Sequence, residues 1–415
     1  MPMQPVNVAA YTLTCSVGRG INALREALAS RRSGLTAGRW DGSDIDTCLG
    51  RVTGLEVAVP KIDPAYNSRN NRLAEHGLGG DGFDDAVAAV VERCGPARCG
   101  VITGTSTSSI GRTEAAYAAL EDGPREDGPQ EGKKFAARYL QPKVHNPHST
   151  SAYVAHRLGV TGPAMTISTA CSSSAKVFAS AARWLECGIS DAVIVGGVDS
   201  LCLSVIHGFH SLQLVSAQPC RPFDVARDGI NLGEAAGFAL LVRDSHNDGD
   251  NHGLGGVARR ARLLGYGESC DAYHMSSAHP DGLGAELAMN AAIARSGLTY
   301  NDIGYLNLHG TGTRTNDDIE ARVCARLFPP AVPASSTKGW TGHTLGAAGI
   351  TEAIVAMDAL ETGLLPGNLN AGEPEPAIAP QLLLGNREAR VDVTMTNSFG
   401  FGGNNCSLIF GKART

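Results

Sequence analysis

Long apolar runs are missing from this chain of 415 residues. No window approaches 18 uninterrupted apolar residues, and the N-terminus, MPMQPVNVAAYTLTCSVG, has no basic stretch leading into an apolar core. Neither a membrane span nor a secretory leader is expected. A basic excess is missing too. The 35 Lys and Arg stand against 41 Asp and Glu, a formal net charge of −6, which excludes a surface built to coat nucleic acid. The 11 cysteines are odd in number and scattered, so no disulfide framework is expected. Only Cys94 and Cys99 sit close together, and no second pair at ligand spacing completes a zinc site. A reduced, cytoplasmic protein with no metal is the default expectation. Charged residues are scarce at 18% against 43% apolar, so much of the chain is expected to lie buried between layers.

Glycine is abundant, at 51 residues against a usual ~7%. Without a collagen period, this means tight turns and closely approaching backbones. Short apolar, β-branched runs at 164–169, 192–196, 237–242, 305–308, 391–396 and 407–410 alternate with helical stretches. Such runs suit strands covered on both faces of an α/β layered fold. The most helical stretches, 172–186 and 346–361, both begin with Ser, Gly and Ala and carry larger residues later. They are expected to lie between sheets, and their similar layout points to an internal duplication. The polar, glycine-rich segment 244–256 reads as a connector, dividing the chain into an N-terminal half, 1–250, and a C-terminal half, 257–415. A second polar insertion, 121–134, reads as a long exposed loop.

Cys171 follows a strand and opens a helix in TISTACSSSA. A thiol facing the free N–H groups of a helix N-terminus is expected to have a lowered pKa and to act as a nucleophile; a buried apolar filler is the alternative. His309 ends the strand YLNL and begins HGTGT, and His343 lies in STKGWTGHTLGAAG ahead of the second small-residue helix. A histidine at a helix N-terminus is biased toward its neutral form and can donate N–H to a carbonyl oxygen. Singly, each is better explained by a capping or core role than by catalysis. With a strand-end cysteine they form a constellation for chemistry. NSFGFGGNN, between two strands, is either a plain turn or a nest of N–H groups shielded by Phe399 and Phe401. No GxxxxGK[ST] pattern supports phosphate binding.

Taken together, TACSSS, RPFDVARDGINLGEAAG, HGTGTRTNDDIE, STKGWTGHTLGAAG and NSFGFGGNN resemble the β-ketoacyl-carrier-protein synthases of the Cys-His-His type. The motifs run in that family's order from about residue 160 to the C-terminus. The resemblance implies the thiolase fold, a duplicated five-layer αβαβα sandwich. It implies an acyltransferase performing decarboxylative condensation of an acyl-Cys171 enzyme with a malonyl carrier protein, in fatty-acid or polyketide synthesis. His309 and His343 would act on the malonyl thioester, and Lys338 would be the family's STK lysine, linked to the supporting Glu352. Thr311 and Thr313 would bind the pantetheine arm. Gly400 and Phe401 would form the oxyanion hole and gate, with Asp271 and His274 on a second gating loop. No cofactor is implied beyond the phosphopantetheine that carries the substrates. Asn404 stands where the family's motif more often has threonine.

The implied partners are an acyl carrier protein and a second subunit, either a copy of the chain or a chain-length factor. Carrier proteins are acidic, so a local basic patch is expected, with Arg69, Arg72, Lys133 and Lys134 as candidates or as ordinary solvated charges. SRNNRL (68–73) and GTSTSSI (104–110) look like the synthase subunits of aryl polyene pathways. Rival readings are a noncatalytic chain-length subunit, against which Cys171 speaks, and a degradative thiolase, against which HGTGT and TGH speak.

Overall fold

The computed structural model describes residues 2–56, 62–121, 141–243 and 257–413. The proposed connector and almost all of the polar insertion, with Lys133 and Lys134, lie outside these residues. Ten strands form one continuous path. They are β1 (Val6–Cys15), β2 (Cys99–Gly104), β3 (Ala164–Ile167), β4 (Ala192–Asp199), β5 (Ala235–Arg243), β6 (Ala261–Cys270), β7 (Tyr305–Asn307), β8 (Ala334–Ser335), β9 (Val393–Gly400) and β10 (Asn404–Lys412). Their spatial order is β8-β7-β9-β10-β6-β1-β5-β4-β2-β3.

That order is a duplication. The first five strands lie as 3-2-4-5-1, and the second five repeat the order as 8-7-9-10-6. In both halves the first three positions pair in parallel and the remaining contacts are antiparallel. The halves meet where β1 and β6 pair antiparallel, with Val6 opposite Leu263 and Val8 opposite Ala261.

Helices α1 (Arg69–Leu78) and α2 (Ser149–Leu158) cover the outer face of the first sheet, and α4 (Leu283–Ser296) covers that of the second, with α5 (Arg314–Leu327) beside it. Between the sheets lie α3 (Ser173–Glu186) and α6 (Ala348–Thr362). Every residue from Ala348 to Leu360 is buried, which explains why this helix lacks the polar face of a surface helix. Small residues bring the two helices together: a Cβ on Gly349 would lie 2.4 Å from the Ala175 nitrogen. The layers are therefore α, β, α, β, α, as the resemblance implied.

Parallel strands aim their C-terminal ends the same way, and in open α/β sheets ligands bind beyond those ends. Here β3 runs toward Cys171, β7 toward His309, β8 toward Lys338 and His343, and β9 toward Phe401. The glycine-rich segment is shorter than expected, because β9 continues through Asn397–Gly400 and only residues 401–403 form the turn before β10.

Candidate active site

The nucleophile candidate sits on a strained turn. Ala170 has φ of 50°, a left-handed conformation that costs a non-glycine residue energy. The turn presents Cys171 two residues ahead of α3, at 5% exposure. The expected low pKa is not found. Burial pushes the thiol up to about 11, outweighing the Lys338 charge and the N–H groups of Phe401 and Cys171 itself. The helix terminus is there as expected, but removing the sulfur from water matters more.

His309 and His343 are buried with ring centroids 5.4 Å apart, nearly perpendicular. One ligand-capable atom from each of Cys171, His309 and His343 lies within 4.8 Å of the others. Such a trio has the donor types for a metal, but the neighbouring Lys338 ammonium opposes a divalent cation there.

The hydrogen bonds fix both tautomers. Nδ1 of His343 accepts the Leu345 N–H at 3.0 Å, so a neutral ring carries its proton on Nε2. That nitrogen is buried and has no hydrogen-bond partner among the described residues. Nδ1 of His309 lies 3.3 Å from Lys338 Nζ. An ammonium only donates, so this ring also keeps its proton on Nε2. Both imidazoles are held well below their ordinary pKa. Burial is the larger cause, then the Lys338 charge, with His343 adding to the effect on His309. The neutral forms agree with the sequence expectation, although burial and not a helix terminus is the main reason.

Carboxylates missed in the sequence hold this frame. Glu320 accepts the backbone N–H groups of His309 and Gly310, both at 2.8 Å, and burial raises its pKa to about 7. Asp317 accepts those of Thr311, Gly312 and Phe223. Asp199, at the end of β4, accepts those of Ser106 and Gly346, tying the first half to the turn after His343. Lys338 pairs with Glu352 and with the His309 carbonyl, all buried. Burial also raises Glu352 to about 7. The NDDIE string and the strand-end aspartate were readable signals, but nothing in the sequence separated them from surface charges.

A cavity of about 210 Å³ is lined by Cys171, His309, His343, Thr311, Thr313, Gly400, Phe401 and Asp271, among others. The Thr311 and Thr313 hydroxyls lie 2.8 Å apart. Phe401 stacks on Phe209, which sequence reasoning missed, with centroids at 5.6 Å. Asp271 accepts from Asn405 Nδ2 at 2.8 Å and from the His279 N–H at 3.0 Å.

His274 is exposed and does not line the cavity; its Nδ1 accepts the Ser276 N–H within its own loop. Arg69 is not a free docking cation. Its guanidinium chelates Glu234 at 2.7 and 2.8 Å, and the Glu234 side chain is fully buried. Arg72 is committed to Asn67 Oδ1 and to the Leu55 and Glu56 carbonyls.

Paired sheets around two buried helices, with a buried cysteine and two neutral histidines at the strand ends, define a thiolase-fold acyltransferase. Residues 3–247 match the β-ketoacyl synthase N-terminal domain and residues 260–372 its C-terminal domain. The chain belongs to the β-ketoacyl synthase family and is an acyltransferase. It is 34% identical to the chloroplastic 3-oxoacyl-[acyl-carrier-protein] synthase II of Arabidopsis thaliana, across 98% of this chain and 75% of that one. It is 31% identical to 3-oxoacyl-[acyl-carrier-protein] synthase 2 of Vibrio cholerae, across 99% of each. Among solved structures it resembles the ketosynthase ApeO of Xenorhabdus doucetiae, determined in complex with its chain length factor ApeC. The TM-score is 0.86, with 35% identity over 99% of this chain and 98% of that one. No helix among the described residues is long and apolar enough to cross a membrane.

Proposed function

We propose that this ketosynthase condenses an acyl group held on Cys171 with a malonyl group delivered on the phosphopantetheine of an acyl carrier protein. The observation that carries the reading is the pair of buried, neutral imidazoles, each with its proton on Nε2, beside a buried thiol. In the first half-reaction the thiol exchanges with an acyl carrier thioester, and its proton ends on the departing carrier thiol. Cys171 and Phe401 supply the N–H groups for that tetrahedral oxyanion. In the second, the malonyl carboxylate leaves as CO2 and its electrons move onto the thioester oxygen. His309 and His343 donate to that oxygen, and each preorganised donor of this kind is worth about 10²–10³ in rate. The resulting carbanion attacks the acyl group, and the released Cys171 thiolate takes up a proton. Ping-pong kinetics follow.

Lys338 fixes the His309 tautomer, and Glu352 balances its charge. Thr311 and Thr313 receive the pantetheine arm, while Phe401 with Gly400 gates the sulfur. The Asp271 loop braces that gate.

We place the chain with aryl polyene ketosynthases that work beside a chain-length factor. The 35% identity to ApeO, solved with its chain length factor ApeC, supports work beside such a factor, and the aryl polyene assignment rests on the likeness of SRNNRL and GTSTSSI. β3 ends the strand order, with all four residues half-buried, and it is a suitable edge for a partner of the same fold. Co-expression with a chain-length factor followed by extension assays on aryl and alkyl starters tests the pathway. Elongation of alkyl starters alone, by a chain that elutes only as a copy of itself, would overturn this placement.

A further inference from the structure

The turn that carries Phe401 is fastened from two sides. On one side the bonds lead to the 270–279 segment: the Gly402 N–H donates to the Met275 carbonyl at 2.7 Å, Asp271 N–H to the Gly403 carbonyl at 2.9 Å, and Asn405 Nδ2 to Asp271 at 2.8 Å. On the other side one side-chain bond reaches the helix of the nucleophile. Lys176 Nζ donates to Asn404 Oδ1 at 3.3 Å.

Lys176 is half-buried on α3, between the buried Ala175 and Val177. Among the described residues it makes no ion pair, and Asn404 is its hydrogen-bond partner. An ammonium only donates, so the Asn404 oxygen must face the helix and its nitrogen the turn. Accordingly, a Cβ on Gly402 would lie 3.3 Å from Asn404 Nδ2. Gly402 and Gly403 have φ of 78° and 72°, and with no side chains to wedge them the turn has freedom that these contacts restrain.

We propose that Lys176 and Asn404 form a positioning pair that holds the Phe401 gate closed over Cys171 and thereby sets how readily long acyl groups reach the sulfur. This rests on the reading of Cys171 as acyl acceptor and Phe401 as gate. Without the pair the turn loses this side-chain tie to α3 and is held by the 270–279 segment, the flanking strand pairs and the Phe401–Phe209 stack. Short acyl groups need little opening; long ones need the Phe401–Phe209 stack to part.

The test is the rate of Cys171 acylation from short-chain and long-chain acyl carrier proteins, followed by intact mass. In Lys176→Met the long-to-short rate ratio rises roughly two- to tenfold, the range expected for losing one hydrogen bond. Asn404→Ala gives the same rise, and the double variant adds nothing further. Lys176→Arg, which keeps a donor, restores the wild-type ratio, a rescue that a merely structural role would not give. Normal loading with an unchanged ratio in both single variants overturns the pair alone. Absence of any adduct on wild-type Cys171 overturns the condensing reading beneath it.

Discussion

Replacing Lys338 by methionine separates the two half-reactions. Lys338 is 1% exposed and its ammonium lies 3.3 Å from His309 Nδ1, so it forces that nitrogen to accept and leaves Nε2–H free to donate. Methionine has similar bulk and no donor, and the ring then samples both tautomers and loses its fixed aim. Losing one preorganised donor costs about 10²–10³ in rate, so CO2 release from malonyl carrier protein falls by about that factor. Acyl loading on Cys171 relies on backbone N–H groups and falls less. The pH profile provides a second check. The Lys338 charge helps hold both histidines below their ordinary pKa. Removing it raises both pKa values, so imidazolium forms at higher pH and the acid limb of the decarboxylation profile moves up. Decarboxylation within about threefold of wild type, with an unmoved acid limb, would refute the tautomer reasoning, given the 10²–10³ expected.

Three further outcomes follow from particular contacts. The Cys171 thiol, pushed up to about 11, should react with iodoacetamide slowly at pH 7, with the rate rising about tenfold per pH unit toward that value; a plateau below pH 8 would contradict the dominance of burial. Gly349→Ala places a Cβ 2.4 Å from the Ala175 nitrogen and 2.8 Å from its Cβ. Parting the central helices costs about 1–3 kcal/mol, visible as a lowered Tm, and an unchanged Tm would deny that close approach. Arg69→Glu leaves the buried Glu234 carboxylate facing a second negative charge. Breaking a buried pair costs about 3–5 kcal/mol, so urea denaturation should show a large loss; normal stability with a raised KM for carrier-bound substrate would return Arg69 to the docking surface.

How much was readable depends on whether the information was local. The strand ends carrying Cys171 and His309 were visible because short, largely apolar runs stop just before them. The central helices were visible because their first turns are built of Ser, Gly and Ala. The Cys171 pKa was not readable, because a sequence shows a helix start but not the absence of water around the sulfur. Arg69 looked like a free cation because its partner, Glu234, lies 165 positions away. Glu320 and Asp317 stood within HGTGTRTNDDIE with no role assigned, because only the fold shows their oxygens holding the backbone of HGTG. Phe209 carried no motif, and only the fold brings it against Phe401.

The most direct measurement is intact mass of the enzyme after incubation with acyl carrier protein and then with malonyl carrier protein. The account predicts an acyl adduct that maps to Cys171, disappears as an extended 3-oxoacyl product forms, and is absent in Cys171→Ala. Elongation that persists in Cys171→Ala, or an adduct that maps to another residue, would contradict it.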